Sequence, residues 1–198
     1  MIELIYNFWN LSNKKFLDPT IGHSLKWMGN YFHLHDVMDD ILQQYNHKAY
    51  TNDDETCILV IEDKAEITAA AEILPSALAF DIIKYNHHSL RGEIELKKSI
   101  LLSLGAELEP RRKELQSHTK QLSEDIFFML NNLNLRHNNK SKTDKNYKEA
   151  VAKMRKDRLE KWYDELYQMM LLAILILDNA DRASRVKELK DKIIGEAS

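Results

Sequence analysis

The chain has 198 residues and a net charge of -3, with only 5 Gly and 3 Pro. That is long enough to bury a full core and too poor in turn residues for a domain built from hairpins, so long helices are expected. The single cysteine, Cys57, excludes an intramolecular disulfide and a cysteine-based zinc site.

Residues 1–13 are expected to form a short apolar helix, with Ile2, Ile5, Tyr6 and Trp9 near helical spacing. Glu3 and the lack of a basic stretch before an apolar run argue against a secretory leader. After Asp18-Pro19, Thr20 is placed to cap a long helix to Asn46, in which Trp27, Tyr31, Leu34, Met38, Ile41 and Tyr45 form a stripe that asks for burial. NHKAYTNDDE reads as a polar loop in which Thr51 and Asp54 suit a variant capping box. CILVI has the β-branched content of a strand. It runs into EDKAEITAAAEI with no turn signal, and a helix is expected across both.

Pro75 should break that helix, because its ring clashes with the preceding turn and it has no N–H to donate. A further helical piece extends to His88, and an amphipathic segment, 89–108, follows with Ser89 as its cap. Pro110 suits the first turn of the next helix. That helix begins polar in RRKELQSHTKQ and turns apolar in IFFMLNNL. Beyond a polar loop, a helix over 147–177 is expected to turn Trp162, Leu166, Tyr167, Met170 and Ile174 inward. Its MMLLAILIL end is apolar all round and asks for neighbours in the chain or a second subunit. At nine residues that run is about half a membrane crossing. A last helix, 181–194, carries Val186, Leu189 and Ile193 on one face. The fold expected is therefore all-α, an irregular bundle of about seven helices in one cytoplasmic domain. Residues 1–88 would supply the N-terminal helices and 89–198 a helical core.

Several familiar chemistries find no support. No histidine has a glutamate three positions before it, so the paired Glu-x-x-His ligands of a di-metal bundle are missing. Gly92 and Gly105 are isolated, and no phosphate-loop or dinucleotide pattern exists. The His35-Asp36 doublet has the residue types of a metal-dependent phosphohydrolase but not the spacing, and a solvated helix face explains it better. No cofactor and no metal are expected.

Charge is distributed unevenly: residues 136–158 hold nine basic and three acidic side chains, a window of +6 in a chain of -3. An anionic ligand would feel that asymmetry. The window opens at Arg136 and His137, beside Asn131, Asn132, Asn134, Asn138 and Asn139, and continues through Lys140, Lys142 and Lys145. Asparagines end helices, but Asn131, Asn132 and Asn134 fall within the helical pattern, where Asn is a poor former. Buried amides need partners, and Arg136 and His137 are the expected ones. A second Arg/His set is Arg112 with His118, or Arg111 with His118. With 8 His among 198 residues, roughly one such spacing arises by chance, so spacing alone decides nothing.

LNNLNLRHNN, followed by NYKEAV and WYDELYQMMLLAIL, resembles the C-terminal half of bacterial abortive-infection-type helical proteins, some of them of the HEPN group. The resemblance covers residues 86–178. It implies an RNA-directed phage-defence protein, a metal-independent endoribonuclease working as a homodimer. In such a protein a histidine (His118 or His137) moves the proton of a ribose 2′-hydroxyl while an arginine (Arg112 or Arg136) holds the phosphate. The HEPN histidine that closes the motif, with four to six residues between it and the arginine, is absent after Arg136: Ser141, Lys142 and Thr143 stand there. The alternative is a non-catalytic helical module that pairs with itself or a partner protein through MMLLAILIL and the Trp162/Tyr163 region.

Overall fold

A computed structural model describes residues 1–7, 36–54 and 56–195. The expectations for Trp9, Thr20, Trp27, Tyr31, Leu34 and His35 lie outside the described residues. The chain divides into two compact units, Met1–Arg91 and Gly92–Ser198. The described residues are mostly helical, with one small two-stranded sheet.

In the first unit, α1 (residues 2–7) and α2 (residues 36–44) precede an antiparallel hairpin of β1 (His47–Thr51) and β2 (Ile58–Glu62). The chain enters β1 through Asn46, whose φ of 53° is left-handed, a conformation asparagine tolerates. CILVI is thus largely strand and not helix. Its apolar residues face both ways, as in a strand covered on both sides. Ile58 and Val60 pack with Tyr6, Met38 and Leu42, while Leu59 and Ile61 are buried on the other face. There Tyr50, the cross-strand partner of Leu59, reaches the Thr68 hydroxyl at 2.9 Å. The capping box at Thr51 and Asp54 does not form, since Thr51 ends β1. Asn52 closes the loop instead, accepting from the Thr56 and Cys57 N–H groups at 2.8 Å each. Tyr45, expected inward, is 73% exposed, and Leu42 takes the buried position.

The free edge of β2 is covered by side chains of α1. Asn7 both accepts from the Ile58 N–H (2.8 Å) and donates to the Ile58 carbonyl (2.7 Å), and Glu3 accepts from the Val60 N–H (2.8 Å). The match is geometric: four residues of helix rise about 6 Å and two of strand about 6.6 Å. Glu3 also meets the buried His87 Nε2 at 2.8 Å. Two further helices, α3 (Ala65–Ile73) and α4 (Ser76–Tyr85), are separated at Pro75 as expected.

In the second unit, Gly92, with φ +79°, leads into α5 (Ile94–Leu108). The start is later than expected, and Ser89 lies in a 3₁₀ turn, His88–Leu90, rather than at a helix cap. Pro110 sits in a second 3₁₀ turn, Glu109–Arg111, before α6 (Arg112–His118). Thr119, at φ -150° and ψ 86°, interrupts the helix expected to be continuous, and α7 (Lys120–Asn132) follows. After a loop and the single turn α8 (Glu149–Ala152), α9 runs unbroken over Lys156–Gly195. The two helices expected over 147–177 and 181–194 are therefore one, starting later. Asp178 bonds Arg182 one turn on, and Asp181 is held by Arg111 at 2.9 Å, which carries the helix through its polar DNAD stretch.

Helices α5, α6 and α7 all pack on α9. Tyr163, not Trp162, is the buried aromatic: Trp162 is 42% exposed, whereas Tyr163 is enclosed and donates to the Leu133 carbonyl at 3.0 Å. Burial of its ring pushes the Tyr163 phenol pKa up. Lys97, buried in the first turn of α5, ties that helix to α9 through Glu160 (2.8 Å) and Asp164 (2.7 Å). Glu160 also accepts from the Gly92 N–H at 2.7 Å. Burial raises the Glu160 pKa, but the Lys97 and Gly92 bonds outweigh it and hold the carboxyl below its ordinary value. Among the described residues no helix is long and apolar enough to cross a membrane.

Candidate anion-binding site

Arg112 and Arg136 come from different elements, one at the start of α6 and one just beyond α7, and they converge on one ring. The guanidinium carbon of Arg112 lies 4.2 Å from the Phe127 centroid and that of Arg136 lies 5.5 Å from it. Phe127 itself is enclosed in the core of the second unit, so it supports the two cations from beneath. Glu109 stands between them, 2.5 Å from Arg136 Nη2 and 3.7 Å from Arg112 Nη1.

The local chain explains the convergence. α7 ends at Asn132; Asn134 takes a left-handed φ of 59°; buried Leu135 plugs the core; and the Arg136 N–H returns to the Leu130 carbonyl at 3.0 Å. The Arg136 side chain then crosses α5, where Gly105 and Glu109, four residues apart, share a face. Its Nη2 donates to the Gly105 carbonyl at 3.4 Å. A Cβ on Gly105 would lie 3.0 Å from a Leu130 methyl and 3.5 Å from Arg136 Nη2, so glycine gives the guanidinium its seat. Two guanidinium groups against one carboxylate leave the cluster a net positive charge, with Arg136 about a quarter and Arg112 about half exposed.

The amides expected to pair with Arg136 and His137 pair with backbone instead. Asn139 is fully buried: its Oδ1 accepts from the Asn134 N–H at 2.7 Å and its Nδ2 donates to the Asn146 carbonyl at 2.8 Å. Its own backbone carbonyl accepts from the Lys148 N–H, which closes loop 133–148 into a knot. Asn138 is exposed and accepts from the Lys140 and Ser141 N–H groups, an Asx turn. Asn132 donates to the Phe128 carbonyl at 2.8 Å, and Asn131 is half-buried. As a set, the asparagines shape the loop that presents Lys140, Lys142 and Lys145. All three lysines are exposed, and none is in an ion pair among the described residues.

His137 is exposed next to Arg136. His118 is exposed at the end of α6, where its charge helps to hold the Glu114 carboxyl below its ordinary pKa, after the larger effect of the Arg111 hydrogen bond. Six residues along a helix amount to about 9 Å of rise and about one and two-thirds turns, which sets the two positions about 120° apart around the axis, so Arg112 and His118 do not face one point. Arg111 is consumed internally: it makes a two-pronged bond to Glu114 (2.8 and 2.7 Å) and a third to Asp181, which together raise its pKa.

Among the described residues no three His, Cys, Asp or Glu side chains gather as a metal site, and Asp36 of the expected His-Asp doublet is exposed. Glu109, Phe127 and Gly105 are site residues that sequence reasoning passed over. Only the three-residue step from Glu109 to Arg112 offered a signal. No family model, curated protein or solved structure matches the chain.

Proposed function

We propose that the protein binds RNA at the α6–α7 end of its second unit and cleaves it without metal, as a HEPN-like phage-defence ribonuclease. The observation that carries the reading is the meeting of Arg112 and Arg136 over Phe127, 24 residues apart in sequence and sharing the one carboxylate of Glu109. Paired guanidinium groups match the geometry of a phosphate. Lys140, Lys142 and Lys145, on the loop that leaves Arg136, extend the positive surface along a nucleic-acid backbone.

In this reading His137, beside Arg136, takes the ribose 2′-hydroxyl proton. The 2′-oxygen attacks phosphorus, the bond to the 5′-oxygen breaks, and a second imidazole protonates that leaving oxygen. The products are a 2′,3′-cyclic phosphate and a free 5′-hydroxyl. His118 and Arg112 stand at opposite ends of α6 and on different faces of it, and in this reading the second imidazole comes from another copy.

Incubation of the protein with structured RNA in excess chelator tests the reading. Cyclic ends that vanish in both Arg136→Ala and His137→Ala support it. Intact RNA together with salt-insensitive, weak RNA binding replaces it with a helical interaction module, a second reading favoured by the exposed Leu172, Val186, Leu189 and Ile193 along α9.

A further inference from the structure

Helix α9 has two faces. One, including Tyr163, Tyr167, Met170 and Leu177, is buried in the second unit. The other carries Leu172, Leu175, Asn179, Arg182, Val186, Leu189 and Ile193, in alternating steps of three and four residues. That is the spacing of the seam along which two helices supercoil. Leu172, Val186, Leu189 and Ile193 are 48–59% exposed on it, and Leu175 is half-buried.

We propose that this seam docks against the same seam of a second copy, antiparallel, about a two-fold axis between Ala180 and Asp181. Between Leu172 and Leu189 the order of residues is its own complement in that arrangement. Leu172 meets Leu189 of the second copy, Leu175 meets Val186, and Asn179 meets Arg182, each pair occurring twice. From Leu172 to Leu189 apolar layers thus face apolar layers and the polar layer faces itself; Ile193 lies beyond this match, opposite Gln168 of the second copy. The flanking positions agree: Ile176 lies beside Ala183 of the second copy, and Asp178 beside Arg185.

Other arrangements lose this match. A shift of one seven-residue repeat sets Asn179 against Leu189 and Arg182 against Val186, or Leu172 against Arg182, leaving polar groups on apolar partners. A parallel pair stacks Arg182 on Arg182 and places Arg185 beside Lys190. A membrane surface is a poorer occupant, because Asn179 and Arg182 interrupt the stripe and no aromatic residue accompanies it. The helix is already formed and held at Asp181 by Arg111, so docking orders no new backbone. None of these residues belongs to the phosphate site, and the dimer stands or falls apart from RNA binding.

The test uses the full chain with Cys57→Ser, adding Leu172→Cys to one sample and Leu189→Cys to another. Mild oxidation of the mixture is expected to give a species of twice the 23.2 kDa chain mass, while each variant alone stays single. Self-crosslinking of either variant alone, or none in the mixture, overturns the arrangement. Sedimentation of the wild-type chain checks it without any cysteine: a dimer is expected, converted to monomer by Leu189→Glu with unchanged helical content. A wild-type monomer at high concentration overturns the proposal. So does a wild-type monomer that binds phosphatidylserine vesicles and loses that binding in Leu189→Glu.

Discussion

Asn139 is the residue whose replacement best separates the architecture of the basic loop from its chemistry. Its side chain is fully buried and bonds two backbone groups, the Asn134 N–H at 2.7 Å and the Asn146 carbonyl at 2.8 Å. Asn139→Ala leaves both groups without that partner, and each unsatisfied buried group costs about 1–3 kcal/mol. Asn134 and Asn146 are half-buried, so water reaches part of the gap. The expected loss is about 2–4 kcal/mol, toward the lower end of the sum. For a unit of this size, 1 kcal/mol shifts the midpoint by roughly 4 °C, which predicts a fall of about 8–16 °C. Thermal unfolding followed by far-UV circular dichroism reads the shift. Asn138→Ala is the control: Asn138 is exposed, with longer bonds of 3.2 and 3.1 Å, and its loss should stay within about 0.5 kcal/mol. Equal midpoints for the two variants would refute the assignment of Asn139 as the knot of the loop.

Glu109→Gln removes the negative charge shared by Arg112 and Arg136, and at about 5 Å in solvent that charge is worth about 1 kcal/mol. RNA binding should tighten roughly fivefold, as read by fluorescence anisotropy; an unchanged affinity would mean the arginines do not meet the phosphate. Lys97→Met strands Glu160 and Asp164, and urea titration should show a loss of about 2–4 kcal/mol at neutral pH. Glu160 has a depressed pKa in the folded chain, so its contribution is complete above the ordinary carboxylate value and is lost as pH falls through the depressed one. The wild type should therefore lose stability on that acid side more steeply than Lys97→Met, and parallel pH profiles would contradict the ion cluster. Tyr163→Phe removes the bond to the Leu133 carbonyl at the end of α7 and should cost about 1–2 kcal/mol by the same titration, whereas Trp162→Phe on the exposed side should cost less.

Local pattern was enough to read a helical protein, the break at Pro75 and the polar loop after α7, because propensity and amphipathic spacing act over a few residues. It was not enough for CILVI. A short apolar run suits a buried helix or a strand equally, and its partner HKAYT stands across a loop whose closure depends on Asn52. Asp178-Asn179-Ala180-Asp181 looked like a helix end, yet the tertiary bond from Arg111 to Asp181 and the local one from Arg182 to Asp178 carry α9 through it. Neighbouring aromatics were likewise indistinguishable by period alone: Tyr163 is inward and Trp162 outward because the core face of α9 is set by Leu159, Leu166 and Met170. Arg112, Arg136 and the lysines were visible as candidates. Their convergence was not, since it depends on Gly105, Glu109 and Phe127 from two other helical segments meeting in space.

The salt dependence of RNA binding is the most direct measurement of the central claim. If Arg112, Arg136, Lys140, Lys142 and Lys145 each neutralise a phosphate, the affinity for labelled single-stranded RNA should fall with salt at a log–log slope of about 3.5. The Arg112→Ala, Arg136→Ala double variant should lower that slope by about 1.4 and weaken binding at every salt concentration. A slope near zero in the wild type, or one that the double variant leaves unchanged, would contradict the account.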